Sequence, residues 1–360
     1  MEFTFIFLSF LPFIFLLWLA NVADKRRGVD PGRKGLDALV YALLGGMWLT
    51  LAAAGIAMLL MGVAYARYAD INAMKDLYRS EGVDPETMVA VMRSLPRLGA
   101  GFVVLAVAGL LTLLPRTRRL LARALAISSD SMVHMTALSY SVIIFVNMWL
   151  MVGIGIETFL GMMEESARDA GVLHQMLLLF WSQNMALAWM AMVGVGWLSR
   201  RSWRHVLQRL GWVWPNRGDV AVGAGLGVVM FILLIPAGLL MRALGMDIDA
   251  DIEKLTQTLL GPLLTTLPGV LSLGLAAALG EELVFRGALQ PRFGVFLTAL
   301  LFAFTHSQYV LSPATLVVFV LGLALGWVRM RRNTTTAMIL HATYNIAMGL
   351  MGLLAMQMMQ

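Results

Sequence analysis

Six polar residues after position 280 have the chemical types and spacings of a catalytic site: Glu281, Glu282, Arg286, His306, His341 and Asn345. They lie within or beside long apolar runs, where an ionisable side chain is costly and is usually retained for function. A carboxylate and an imidazole can hold and deprotonate a water molecule. An imidazole and a carboxamide can donate hydrogen bonds to a developing oxyanion. The set therefore suits hydrolysis by an activated water, without a Ser or Cys nucleophile.

Helical spacing gives these residues different expected roles. Adjacent helical residues point about 100° apart, and Glu282 lies four residues before Arg286, which predicts that these two pair on one face. Glu281 is then free to face a cavity. His341 and Asn345 also have the i, i+4 spacing and can address one point. His306 lies about twelve residues, or about 18 Å, into its apolar run, so we expect it to be the deepest titratable group.

The composition requires that lipid solvates much of the chain. Of the 360 residues, 59% are hydrophobic and only 13% are charged, whereas a soluble domain has roughly 45–50% apolar and about 25% charged residues. Apolar runs long enough to cross a bilayer recur along the sequence. We therefore predict an all-α, polytopic transmembrane helical bundle of about ten helices, with spans near residues 3–22, 39–66, 98–114, 133–156, 172–198, 220–241, 261–285, 294–312, 314–328 and 335–356.

The charge distribution orients these helices and excludes nucleic acid as a partner. The net charge is +6, but the basic residues form short clusters between alternate apolar runs, as at Arg200 and Arg201, and acids cluster in the other loops, as at Asp249 and Asp251. This alternation follows the positive-inside rule and predicts that the N- and C-termini both lie outside. The abundance of Arg, Ala and Gly suggests a bacterial inner membrane protein. The absence of cysteine excludes disulfides and thiol catalysis.

The chain divides into three predicted regions. Residues 1–198 form an N-terminal multi-helix membrane region of unassigned role, and residues 219–360 form the region with the candidate site. Between them, residues 199–218 include apolar residues at i, i+3, i+4 and i+7 from Trp203 to Leu210, with arginines on the remaining surface. This segment is expected either to lie on the anionic inner leaflet as a basic amphipathic helix or to extend a neighbouring helix.

Two smaller patterns predict local structure. Asp84-Pro85-Glu86 has an N-cap, a proline at the first helical position and an acid in the first turn, which predicts a short outer helix to about Arg93. Gly322-x-x-x-Gly326 lies within an apolar run and predicts close helix packing in lipid.

Three motifs in order resemble one protein family. They are Glu281-Glu282-x-x-x-Arg286, Phe302-x-x-x-His306 and His341-x-x-x-Asn345. Each is weak alone, but together on successive apolar runs they resemble the CPBP family of membrane proteases, also called the ABI family, which includes CAAX prenyl protease type 2 and bacteriocin-processing proteins. The resemblance covers roughly residues 220–356.

The resemblance implies an intramembrane endopeptidase. By motif position, Glu281 and His306 resemble the water-activating pair, and His341 and Asn345 resemble the oxyanion-stabilising pair. Glu282 and Arg286 match the supporting positions. No cofactor is established by the motifs. If zinc or another divalent metal takes part, two histidines and a carboxylate could bind it, namely Glu281, His306 and His341, although the sequence lacks His-Glu-x-x-His.

Two other functions remain open at this stage. A proton-coupled transporter could use buried Glu and His as a relay, but it would be expected to show repeated halves with broken helices, and no such repeat is evident. A non-catalytic membrane scaffold or immunity protein could retain the same motifs. For a protease, the expected partners are the lipid bilayer and a membrane protein, a lipidated peptide or a leader peptide as substrate.

Overall fold

The protein is an all-α helical bundle, as predicted. The computed structural model describes residues 2–30, 35–81, 84–166, 172–246 and 249–358, and within these ranges it contains no β-strand. The helices are α1 (Glu2–Val29), α2 (Gly35–Tyr68), α3 (Ile71–Ser80), α4 (Pro85–Leu113), α5 (Pro115–Leu121), α6 (Met132–Ile154), α7 (Ile156–Ser166), α8 (Val172–Gly194), α9 (Trp203–Leu210), α10 (Arg217–Ala243), α11 (Ala250–Leu264), α12 (Leu267–Glu282), α13 (Gln290–Thr305), α14 (Pro313–Arg331) and α15 (Thr334–Met358). A π-helical segment, Leu283–Leu289, joins α12 to α13, and a short 3-10 helix, Ser307–Tyr309, follows α13.

Nine helical segments in the described ranges are long and apolar enough to cross a membrane. One of them, Leu267–Thr305, overlaps two of the predicted spans, 261–285 and 294–312. As a straight helix its 39 residues would be about 58 Å long, against a hydrocarbon core of about 30 Å. Gly294 breaks it with a φ of 77°, and the rings of Phe285 and Phe302 then meet with centroids 5.4 Å apart. These rings would be about 25 Å apart along a straight helix, so the chain reverses at Gly294.

The polar stretch between these two spans is helical, whereas the sequence suggested a loop. Residues 283–289 are π-helical and Gln290 starts α13. The prediction of a separate short helix at Asp84 was also wrong. Asp84 does cap a helix by accepting from the Thr87 backbone N–H at 2.8 Å, but that helix continues as α4 to Leu113. The following residues are apolar enough to extend it into the membrane.

Helix α9 spans Trp203–Leu210, as the spacing predicts, but its packing differs from the expectation of a helix lying on lipid. Val206 and Leu210 are fully buried in the protein core with Leu283 and Phe285. The reason is that the π-helical segment offers an apolar surface beside it, where Gly287 is close enough that an added Cβ would lie 3.0 Å from Leu210.

Glycines allow the helices around the candidate site to approach closely. A Cβ on Gly274 of α12 would lie 2.5 Å from Ile346 of α15, and one on Gly280 would lie 2.6 Å from the Asn184 carbonyl oxygen of α8. Small residues at such crossings allow backbones to pack tightly in lipid. Helix α12 is therefore held between α8 and α15, with its C-terminal acids directed toward α15.

Candidate active site

The two adjacent acids at the end of α12 face different surroundings. Glu282 is completely buried, and its carboxylate accepts a hydrogen bond from the Arg286 guanidinium at 3.0 Å. The Glu281 side chain retains 19% exposure and lines a large cavity, to which neither Glu282 nor Arg286 contributes. Glu282 thus lies in the core and Glu281 lies at the cavity, as expected for two side chains that point about 100° apart on one helix.

His341 extends the buried ion pair across to α15. Its Nδ1 lies 2.9 Å from the same Glu282 oxygen that Arg286 contacts, although the two residues are 59 positions apart. The side chain is only 3% exposed. Because a carboxylate can only accept, we assign the Nδ1 proton to this contact, which leaves Nε2 of the neutral ring as an acceptor. The sequence did not predict this bond, since nothing local connects the two positions.

Arg286 is fixed by contacts other than its ion pair. It donates to the Gly322 carbonyl oxygen of α14 at 3.3 Å, and its guanidinium lies 4.2 Å from the centre of the Phe302 ring. An added Cβ on Gly322 would lie 3.2 Å from Ala299 and Phe302. The close packing predicted at Gly322 therefore brings its backbone carbonyl oxygen within hydrogen-bonding distance of the Arg286 guanidinium.

His306 does not lie in the interior of a helix, and that part of the prediction was wrong. It caps the C-terminus of α13, where its backbone leaves helical geometry. Its Nδ1 lies 3.1 Å from the Phe302 carbonyl oxygen, which can only accept, so this ring also leaves Nε2 as an acceptor. The Tyr309 ring stacks on it, with centroids 6.2 Å apart and 4° between the planes.

Phe302 connects the two imidazoles. Its ring meets His306 edge-on at 5.0 Å between centroids and His341 at 5.9 Å. It is also 99% buried. The motif spacing from Phe302 to His306 signalled that this phenylalanine belongs to the site, but its contacts with His341 and Arg286 depend on the reversal at Gly294 and could not be read from spacing.

A cavity of about 1000 Å³ brings four of the predicted residues together: Glu281, His306, His341 and Asn345 all line it. His341 Nε2 lies 4.0 Å from a Glu281 carboxylate oxygen. That oxygen, Oε2, is buried and has no hydrogen-bond partner among the described residues. The two acceptors are too far apart for a direct hydrogen bond, and a water molecule could bridge them only after a small movement of either side chain, because Oε2 has almost no exposed surface.

The three residues that could bind a metal, if one takes part, are not gathered into a metal site. Among the described residues, no three His, Asp or Glu side chains are grouped as ligands for an ion. Of the possible zinc ligands, Glu281 and His341 lie 4.0 Å apart, His306 has no ion-pair contact with Glu281 within 4 Å, and Nδ1 of His341 is hydrogen-bonded to Glu282. The side-chain arrangement therefore does not fit a catalytic zinc with three protein ligands.

Comparison with known proteins supports the family resemblance over one part of the chain. Residues 263–347 match the family model described as type II CAAX prenyl endopeptidase Rce1-like. No curated protein and no solved structure matches the chain significantly. The matched segment runs from the end of α11 to α15 and contains every residue of the three motifs. The chain is thus a multi-pass membrane protein in which residues 263–347 are similar to the Rce1-like family, and this match bears out the resemblance seen in the three motifs.

Proposed function

We propose that this protein is an intramembrane endopeptidase that hydrolyses a peptide bond of a membrane-associated substrate. The observation that carries the proposal is the Glu281 carboxylate, which faces an intramembrane cavity with one oxygen unpartnered among the described residues and 4.0 Å from His341 Nε2. A carboxylate in such a position can act as a general base toward a water molecule. The Rce1-like match over the same helices supports peptide-bond chemistry.

In the proposed reaction, Glu281 removes a proton from the water as the water oxygen attacks the carbonyl carbon of the scissile bond. The carbonyl electrons move to oxygen, and the Asn345 amide, which lines the cavity, donates to the resulting oxyanion. When the C–N bond breaks, the proton held by Glu281 passes to the leaving nitrogen. Glu282 and Arg286 act indirectly: Glu282 orients His341, Arg286 holds Glu282, and neither residue lines the cavity.

Either His306 or His341 could bind the attacking water together with Glu281. The family resemblance assigns it to His306, whereas the distance to Glu281 favours His341. Both rings leave Nε2 as an acceptor by the hydrogen bonds of Nδ1. If His341 binds the water, its neutral ring has no free N–H to donate to the oxyanion, because the Nδ1 proton is used by Glu282. Asn345 would then be the main hydrogen-bond donor to the oxyanion.

Comparative membrane proteomics of cells with wild-type protein and with Glu281→Gln would identify a substrate, and reconstituted cleavage would then test the proposal. We expect Glu281→Gln to remain folded and to lose about 10²–10⁴-fold in rate, as is typical for loss of a general base. Glu157→Gln, at an exposed position of α7, is the matched control. A wild-type cleavage rate in Glu281→Gln would remove the mechanism.

Double variants distinguish the histidines. Residues that act on the same water are strongly non-additive. If His341 shares the water, Glu281→Gln/His341→Ala should be little slower than Glu281→Gln alone, while adding His306→Ala should slow it further. The reverse pattern would assign the water to His306.

The proposed setting is a bacterial inner membrane, with both termini outside and the arginine-rich loops in the cytoplasm. Candidate substrates are a membrane protein, a lipidated peptide or a leader peptide. A C-terminal reporter fusion that is active only in the cytoplasm would contradict this orientation.

A further inference from the structure

Four arginines line the cavity that contains Glu281 and lie close enough together for their charges to act on Arg209. They are Arg200 and Arg201 after α8, Arg209 near the end of α9, and Arg292 before the reversal in α13, and all four line the cavity. We call them the arginine cluster. The residues come from distant parts of the sequence, and the catalytic proposal uses none of them.

Backbone carbonyl groups orient three of the guanidinium groups. Arg209 donates to the Gly287 carbonyl oxygen at 3.0 Å, Arg292 donates to that of Ala126 at 3.2 Å, and Arg201 donates to that of Val195. A guanidinium has five N–H donors, so each of these contacts positions the group while leaving several donors for a ligand.

The positive charge of the cluster is not neutralised by the surrounding protein. Across the described ranges, no carboxylate lies within 4 Å of any of the four guanidinium groups. Asp24 is the acid whose charge acts on Arg200, but its carboxylate already accepts from the Ser131 hydroxyl and the Met132 backbone N–H. Burial, with the charge of Arg292 and other arginines, lowers the pKa of Arg209 to about 10, and the group is still charged at neutral pH.

A histidine adds a further donor in the same cavity. His134 Nδ1 accepts a hydrogen bond from the Ser128 backbone N–H at 2.8 Å. The proton of the ring is therefore assigned to Nε2, and His134 lines the cavity. The cluster and His134 thus offer several hydrogen-bond donors and an excess of positive charge in one cavity, which is the chemistry that recognises phosphate.

The rest of the cavity suits an apolar chain. Helix α8 lines it from Met176 to Val195, a distance of about 28 Å that matches the hydrocarbon thickness of a bilayer. Next to the arginines the wall is formed by apolar residues such as Leu289 and Phe293. A ligand with a phosphate at one end and a hydrocarbon chain at the other would satisfy both parts.

We propose that the arginine cluster binds the phosphate of an anionic membrane phospholipid whose acyl chain occupies the cavity. The inference does not depend on peptidase activity. It places a lipid in the space that a substrate must enter, so that anionic lipid would compete with substrate or help to position it.

The test is a native mass spectrometry titration of the full chain in neutral detergent, with dioleoylphosphatidylglycerol and dioleoylphosphatidylcholine as probes. We expect the wild-type protein to bind the anionic lipid at least tenfold more tightly. Arg200→Gln/Arg209→Gln should lose about tenfold or more of that affinity, since one charge-assisted hydrogen bond accounts for about this factor. Arg200→Gln alone is the fallback if the double variant misfolds, because no hydrogen bond from Arg200 to a described residue would be lost. It should still reduce the affinity for the anionic lipid severalfold.

Arg204→Gln is the matched control, since Arg204 is an exposed arginine of α9 that does not line the cavity. Equal binding of the two lipids, an equal loss in the control, or no loss in Arg200→Gln would overturn the proposal. Displacement of the lipid by millimolar inorganic phosphate would retain the phosphate site but assign it to soluble phosphate. Displacement only by a peptide with a free C-terminal carboxylate would replace lipid with peptide as the ligand.

Discussion

Removal of the Arg286 side chain should destabilise the fold strongly while leaving the lining of the cavity unchanged, because Arg286 is buried and does not line the cavity. The guanidinium and the Glu282 carboxylate are 1% and 0% exposed and lie 3.0 Å apart. Breaking a buried pair by removing one partner leaves an uncompensated charge and typically costs about 3–5 kcal/mol. We therefore expect Arg286→Met, which keeps most of the side-chain volume, to lower the free energy of unfolding by this amount. Its folded yield should fall accordingly.

The double variant Glu282→Gln/Arg286→Met isolates the charge term. It removes both charges and keeps an amide oxygen that His341 Nδ1–H can still reach, at the position where Glu282 now accepts. Because a buried ion pair can often be replaced by neutral residues without loss, we expect the double variant to recover at least about 2 kcal/mol relative to Arg286→Met. Cleavage should remain impaired, since a neutral amide holds His341 less firmly than a carboxylate does.

The assay is chemical unfolding in detergent micelles, followed by tryptophan fluorescence and by the monodisperse fraction on size exclusion. Arg116→Met is the control, because Arg116 is an exposed residue of α5 and should change stability by no more than about 0.5 kcal/mol. An Arg286→Met protein as stable as this control would refute the structural role. So would a double variant no more stable than the single one, since the loss would then come from packing against Phe302.

Three further results are expected. Gly280→Ala should lower the free energy of unfolding by about 1–3 kcal/mol, because the added Cβ would lie 2.6 Å from the Asn184 carbonyl oxygen. Gly225→Ala is the control and should be neutral in the same unfolding assay, since no atom lies within 4 Å of its added Cβ. Equal effects of the two variants would contradict the close packing of α8 and α12. Asp84→Ala should cost about 0.5–2 kcal/mol at pH 7. Hydrogen bonds from Thr87 lower the Asp84 pKa below its usual 3.8. The stability difference should therefore hold above pH 3.8 and shrink as the pH falls below 3.8 through the lowered pKa, and a difference independent of pH would contradict the cap. Cleavage by the reconstituted protein should survive a zinc chelator, and loss of activity that returns with added zinc would require a different side-chain arrangement.

Hydropathy predicted the fold well, because each apolar run long enough to span lipid satisfies its own backbone hydrogen bonds as a helix. The different surroundings of Glu281 and Glu282 were also predictable from the sequence, since they follow from the angle of about 100° between neighbouring residues of one helix. Such features depend only on residues within a few turns of each other.

The remaining features depend on residues distant in the sequence. The sharing of Glu282 by Arg286 and His341 requires α12 and α15 to approach at glycines such as Gly274, and no local pattern fixes that approach. The placement of His306 at a helix end follows from packing after the reversal at Gly294. The arginine cluster likewise could not be predicted from the sequence, because membrane orientation alone accounts for basic residues in alternate loops.

The end of α12 shows why stability and chemistry can be altered separately in this site. Consecutive acids on a helix cannot serve the same surroundings, and here Glu282 is buried with Arg286 while Glu281 faces the cavity. His341 contacts Glu282 through Nδ1, and its Nε2 lies 4.0 Å from Glu281. In the proposed reaction, the buried pair would act mainly through the orientation of this imidazole. It follows that a substitution at Glu282 should change the rate by displacing His341, whereas a substitution at Glu281 should change the rate with little effect on the fold.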